Sequence, residues 1–96
     1  MRYAAKRDDN HAEIRDALRD IPGVVVADTA SLGDGFPDLV VGYRGVISLL
    51  EIKDGSKPPS KQKLTDDEQK FFDKWAGFPV YVAASFDEAW EAINGN

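Results

Sequence analysis

The chain has 96 residues, with 17 acidic against 12 basic side chains and a net charge of −5, which points away from tight, non-specific nucleic-acid binding. That length suits one domain with a modest core, and 43% hydrophobic residues with two Trp, three Tyr and five Phe exclude a disordered chain. With no cysteine and a single histidine, His11, disulfides, thiolate metal sites, cysteine nucleophiles and multi-imidazole centres are excluded.

No apolar run approaches the roughly 20 residues that span a bilayer. The basic start of the chain, Arg2 to Arg7, has no apolar segment behind it, so no signal peptide is read and a cytoplasmic protein without membrane partners is expected.

Residues 1–9 are polar and without clear period. Over 10–21, Ile14, Ala17, Leu18 and Ile21 recur at i, i+3, i+4 and i+7, the stripe of an amphipathic helix. Asn10 and Glu13 fit a capping box at its start, and Pro22-Gly23 stops it. Glu13 falls on the flank of the stripe, where it can reach the edge of a covered sheet. Residues 24–27, rich in β-branched side chains, read as a first strand, and 28–36 as a loop. Two further strands, 38–43 and 46–53, are joined at Arg44-Gly45, where glycine permits a tight hairpin turn. In that register Asp38 faces Glu51, and Lys53 lies on the same face two residues on. Both faces of the hairpin are apolar, as expected of strands inside a layered domain.

Residues 55–63 form a lysine-bearing loop. Thr65 and Glu68 make a second capping box, opening a helix with Phe71, Phe72, Trp75 and Ala76 on its apolar side. A fourth strand follows over 79–84. Ser85 and Glu88 then cap a helix that turns Phe86, Ala89, Trp90 and Ile93 inward. The order α-β-β-β-α-β-α defines one α/β domain over 1–96, with a four-stranded mixed sheet and a right-handed βαβ crossover between the third and fourth strands.

Two opposed carboxylates on an apolar hairpin repel each other, and a divalent cation between them removes that cost. Bland readings stand beside this one. Asp38 fits a strand edge, Glu51-Ile52-Lys53 a solvated strand end, and Glu13 is explained by the cap alone. His11 reads as a helix-surface residue. Gln69 lies on the side of Phe72 and Ala76, toward the sheet or half-exposed. Lys57, Lys61 and Lys63 make either a solvated loop or a local basic strip able to hold phosphates.

Glu13, then Pro37-Asp38, then Glu51-Ile52-Lys53, then Gln69 resembles the pattern of the PD-(D/E)XK nuclease superfamily. More narrowly, the chain looks like the small virus-type replication-repair nuclease (VRR-NUC) domain found in phage proteins. Gly35-Phe36-Pro37-Asp38-Leu39-Val40 and Leu49-Leu50-Glu51-Ile52-Lys53 carry most of that likeness. The resemblance implies a restriction-endonuclease-like αβββαβ core with an extra C-terminal helix. It implies Mg²⁺ or Mn²⁺ held by Asp38, Glu51 and the carbonyl of Ile52, with Glu13 a further ligand directly or through water. Lys53 would position or activate the attacking water, Gln69 would steady the site, and Lys57, Lys61 and Lys63 would meet nucleic acid. The activity implied is a DNA endonuclease of DNA repair, structure-selective on branched DNA such as Holliday junctions, working as a homodimer in a bacterial or phage-infected cell. Phe78, Tyr81 and the last helix are candidate dimer contacts. The alternative is a catalytically inactive nuclease-fold module that binds nucleic acid or a protein partner.

Overall fold

The chain reverses at Arg44 and Gly45, whose φ angles of 51° and 79° are the paired positive values of a two-residue hairpin turn. A computed structural model describes residues 9–95. Around that turn run β2 (Leu39–Tyr43) and β3 (Val46–Ile52), antiparallel, with Tyr43 opposite Val46 and Leu39 opposite Leu50. The expected register is the one formed. β1 (Val24–Asp28) adds antiparallel to β2, and β4 (Val80–Ala83) adds parallel to β3, giving a four-stranded mixed sheet in the order β1-β2-β3-β4. Three helices complete the α/β fold: α1 (His11–Arg19), α2 (Asp66–Lys74) between β3 and β4, and α3 (Phe86–Asn94). Short 3₁₀ turns at Ala30–Leu32 and Pro59–Lys61 fall in the segments read as loops. Among the described residues no helix is long and apolar enough to cross a membrane.

The core lies on one face of the sheet. Leu39, Val41, Leu50 and Ile52 are fully buried there against Ile14 and Leu18 of α1 and Ala89 and Ile93 of α3. Each buried Leu, Ile or Val side chain among them contributes on the order of 1.5–3 kcal/mol. The Tyr43 and Trp90 rings, 5.4 Å apart, close one side of this layer.

The opposite face departs from the expectation of a hairpin covered on both sides. Val25 and Ile47 are 69% and 65% exposed, and Phe78 is 64% exposed. The nine-residue α2 is too short to shield four strands, since it rises only about 14 Å. No residue of α2 is fully buried. The helix meets the rest of the protein through an aromatic row: Phe71 edge-on to Phe36 at 5.3 Å, Trp75 stacked on Phe71 at 5.2 Å, and Phe78 edge-on to Trp75 at 5.5 Å.

Two details at α1 also differ. Asn10 makes no side-chain cap; its amide instead donates to the carbonyls of Lys53 at 3.0 Å and Ala84 at 3.2 Å, pinning the helix start to the ends of β3 and β4. His11 is not a surface residue but is 2% exposed, because the first turn packs on the end of β1, where Nε2 lies 3.1 Å from Asp28.

Candidate active site

The segment before β2 is fixed by β1. The Thr29 hydroxyl donates to the Pro37 carbonyl at 2.7 Å, and the Thr29 N–H donates to the Asp38 carbonyl at 2.8 Å. Held this way, Asp38 turns its carboxylate across the open end of the hairpin, where Oδ2 accepts the N–H of Ile52 at 2.8 Å. Glu51 and Lys53 alternate with Ile52 and so leave the core face for the side that α2 approaches. Both are buried, at 3% and 7% exposure.

Two carboxyls so placed cannot both ionise without cost. Burial raises the Asp38 carboxyl, with the Ile52 N–H pulling the other way. Glu51 is pushed up to about 10 by burial first, then by the charge of Asp38 and by Glu68. Protonated, Glu51 donates toward Asp38 and Glu68, so the pair holds a proton where a cation could sit.

Glu68 is the residue α2 contributes. Its Oε1 lies 2.8 Å from Lys53 Nζ and also accepts the Thr65 N–H at 2.8 Å, while its own N–H donates to Thr65 Oγ1 at 3.2 Å. The capping box read from the sequence is therefore formed, and its acid serves the site as well. Burial works to raise the Glu68 carboxyl, but the ammonium of Lys53 and the Thr65 N–H hold it below the usual range. Lys53 Nζ is farther from Glu51, at 3.8 Å. Gly35, at φ 80°, brings the loop before Asp38 against this first turn of α2: a Cβ there would stand 2.9 Å from Glu68 N, with the Asp67 carbonyl closer still.

The structure thus gathers Asp38, Glu51 and Lys53 beside the Ile52 backbone. Glu13 and Gln69 stand outside that group. Glu13 is exposed on α1, the layer covering the other face, and lines a hollow with Asn10, Asp54, Ser56 and Phe86. Gln69 is exposed, and its amide donates to Asp73 at 2.9 Å. The reason is helix phase: with Phe71 turned to Phe36, the residue one turn earlier on that side is Glu68. Singling out Phe71 and Trp75 as the inward pair among the four apolar side chains Phe71, Phe72, Trp75 and Ala76 would have found it. Lys61 and Lys63 are exposed on the segment after β3, and Lys57 pairs with Asp9 at 3.3 Å.

A second polar cluster joins buried His11 to half-buried Asp28 and Arg15, with Arg15 Nη1 2.9 Å from Asp28. Burial opposes ionisation of Asp28, but Arg15 and His11 hold its carboxyl far below the ordinary range. No spacing rule pointed to this trio.

Among the described residues no group of three or more His, Asp or Glu side chains is arranged to hold a metal ion. Two carboxylates and a backbone carbonyl suit a hard cation that keeps several of its waters, the habit of Mg²⁺. No family model, curated protein or solved structure matches the chain.

Proposed function

We propose that this protein is a Mg²⁺- or Mn²⁺-dependent DNA endonuclease built on a restriction-endonuclease-like core. The observation that carries the reading is the pairing of half-buried Asp38 with buried Glu51, with the buried Lys53 ammonium beside them. Two facing acids whose carboxyls burial and mutual charge both push up are the electrostatic arrangement that functional sites use.

Asp38, Glu51 and the Ile52 carbonyl would hold the cation, and Glu13, exposed on the helix layer of the other face, is left out of the ligand set. When bound, the cation supplies Lewis acidity toward a water and a phosphoryl oxygen. Lys53 is a compact point charge on a buried stem. It orients the attacking water and offsets negative charge that grows on the phosphate. Asp38 is kept in place for this by the Ile52 N–H, and the β2–β3 ladder fixes Glu51 against it. Lys57, Lys61 and Lys63 take the DNA backbone as a local basic strip on an acidic chain, so affinity is modest and falls with salt.

The protein works as a homodimer through the open face of the sheet. Two apolar hollows, of about 400 and 300 Å³, share Val40 and Ile47 and have no charged residue in their walls. A second copy presents the same two apolar hollows, so two chains of net charge −5 meet there without acidic side chains set against each other. Two-fold symmetry then suits paired cuts in a four-way junction. The test is a cleavage panel of linear, nicked, flap and four-way DNA with Mg²⁺, Mn²⁺ or chelator. Binding without cation-dependent turnover would favour a non-catalytic nuclease-fold module.

A further inference from the structure

We propose that Glu68 is a positioning residue of this site: it takes the Lys53 ammonium as its close partner, so that the ammonium does not compete with a divalent cation for the Asp38–Glu51 pair. The inference rests on the nuclease reading above and adds a residue that the motif does not include. Three observations meet on it. Lys53 Nζ is 2.8 Å from Glu68 but 3.8 Å from Glu51, so the ammonium has taken the α2 carboxylate as its partner. Both side chains of that pair are largely buried, at 9% and 16% exposure, where solvent does little to loosen them. Glu68 is itself held from two sides, by the Thr65 capping box and by the close approach of Gly35 to the first turn of α2.

Charge arithmetic gives the pairing its purpose. Three carboxylates, one ammonium and one divalent cation sum to zero, with Glu68 balancing Lys53 and the hairpin acids balancing the cation. Without the Glu68 charge, the Glu51 carboxylate, 3.8 Å from Lys53 Nζ, is within reach of the ammonium, which then competes with the cation for it.

Glu68→Gln separates this role from capping, because glutamine at the same position still accepts the Thr65 N–H. The measurements are Mn²⁺ binding by calorimetry, and kcat and KM for DNA, on wild type, Glu68→Gln, Glu68→Ala, Lys53→Met and the Glu68→Gln, Lys53→Met double variant. The expected result is Mn²⁺ binding weakened by about tenfold in Glu68→Gln and largely recovered in the double variant, where no ammonium competes. In Glu68→Gln kcat falls while KM for DNA holds. Wild-type Mn²⁺ affinity and kcat in Glu68→Gln, with loss only in Glu68→Ala, would reduce Glu68 to a helix cap and overturn the inference while the nuclease reading stood. Wild-type protein that binds no Mn²⁺ would remove both.

Discussion

The carboxylate of Asp38 accepts the backbone N–H of Ile52 across the mouth of the β2–β3 hairpin, at 2.8 Å. The contact carries the hairpin register one pair beyond the last bonded strand residues, Leu39 and Leu50. It brings the Asp38 side chain to that of Glu51, and it leaves one face of Ile52 to the core and its backbone to the site. Position, burial and charge at this one point are set by the same turn at Arg44-Gly45.

The acid pair makes stability depend on pH. Folded Glu51 keeps its proton up to about 10, whereas an unfolded glutamate loses it near 4.5. Between those values the folded state binds more protons, so stability falls as pH rises. Asp28 and Glu68, held low, act oppositely and cost stability only as pH drops below the ordinary carboxylate range. The melting temperature without cation should therefore peak near about pH 5 and decline toward about pH 9. Glu51→Gln should flatten the decline, and Mg²⁺ should raise the melting temperature more at the alkaline end. A profile level from acid to alkali in thermal unfolding would contradict this.

Lys53→Met should remove cleavage and also destabilise the fold, since it leaves the Glu68 carboxylate partly buried without its ammonium. The loss should be about 3 kcal/mol in urea unfolding. The Glu68→Gln, Lys53→Met double variant should recover part of it. Equal stability of wild type and Lys53→Met would show that the pair holds nothing together.

At Gly35 an alanine would need both a positive φ and room that the first turn of α2 already occupies. Gly35→Ala should cost about 1–3 kcal/mol and move Asp38 and Glu68 apart, lowering kcat more than the stability loss alone accounts for. Thermal melts and cleavage rates on the same preparations separate the two effects.

On the open sheet face, Ile47→Lys should leave folding intact, because Ile47 is already 65% exposed. It should shift the sedimentation coefficient from dimer to monomer. An unchanged sedimentation profile, whether wild type and variant are both dimers or both monomers, would remove this face as the dimer contact.

Much of this architecture was legible from side-chain period and turn chemistry. Arg44-Gly45 sets the register, so the facing of Asp38 and Glu51 follows from the sequence alone. The apolar stripes of α1 and α3 marked the covered face correctly through Ile14, Leu18, Ala89 and Ile93. Period alone could not say which side of α2 turns in, because Phe71 and Phe72 are adjacent and only tertiary contact with Phe36 decides. That ambiguity hid Glu68 and favoured Gln69. Asn10 and His11 misled for a related reason: a cap residue and a helix-start histidine look solvated in sequence, yet here the helix start is tied to Lys53, Ala84 and Asp28.

The most direct test is Mg²⁺-dependent hydrolysis of four-way and linear DNA by wild type beside Asp38→Asn and Glu51→Gln, both near-isosteric and both expected to fold. Cation-dependent cutting by wild type, reduced by at least about a thousandfold in each variant, is the predicted result. Wild-type cutting by either variant, or no cutting by wild type with any cation, would contradict it.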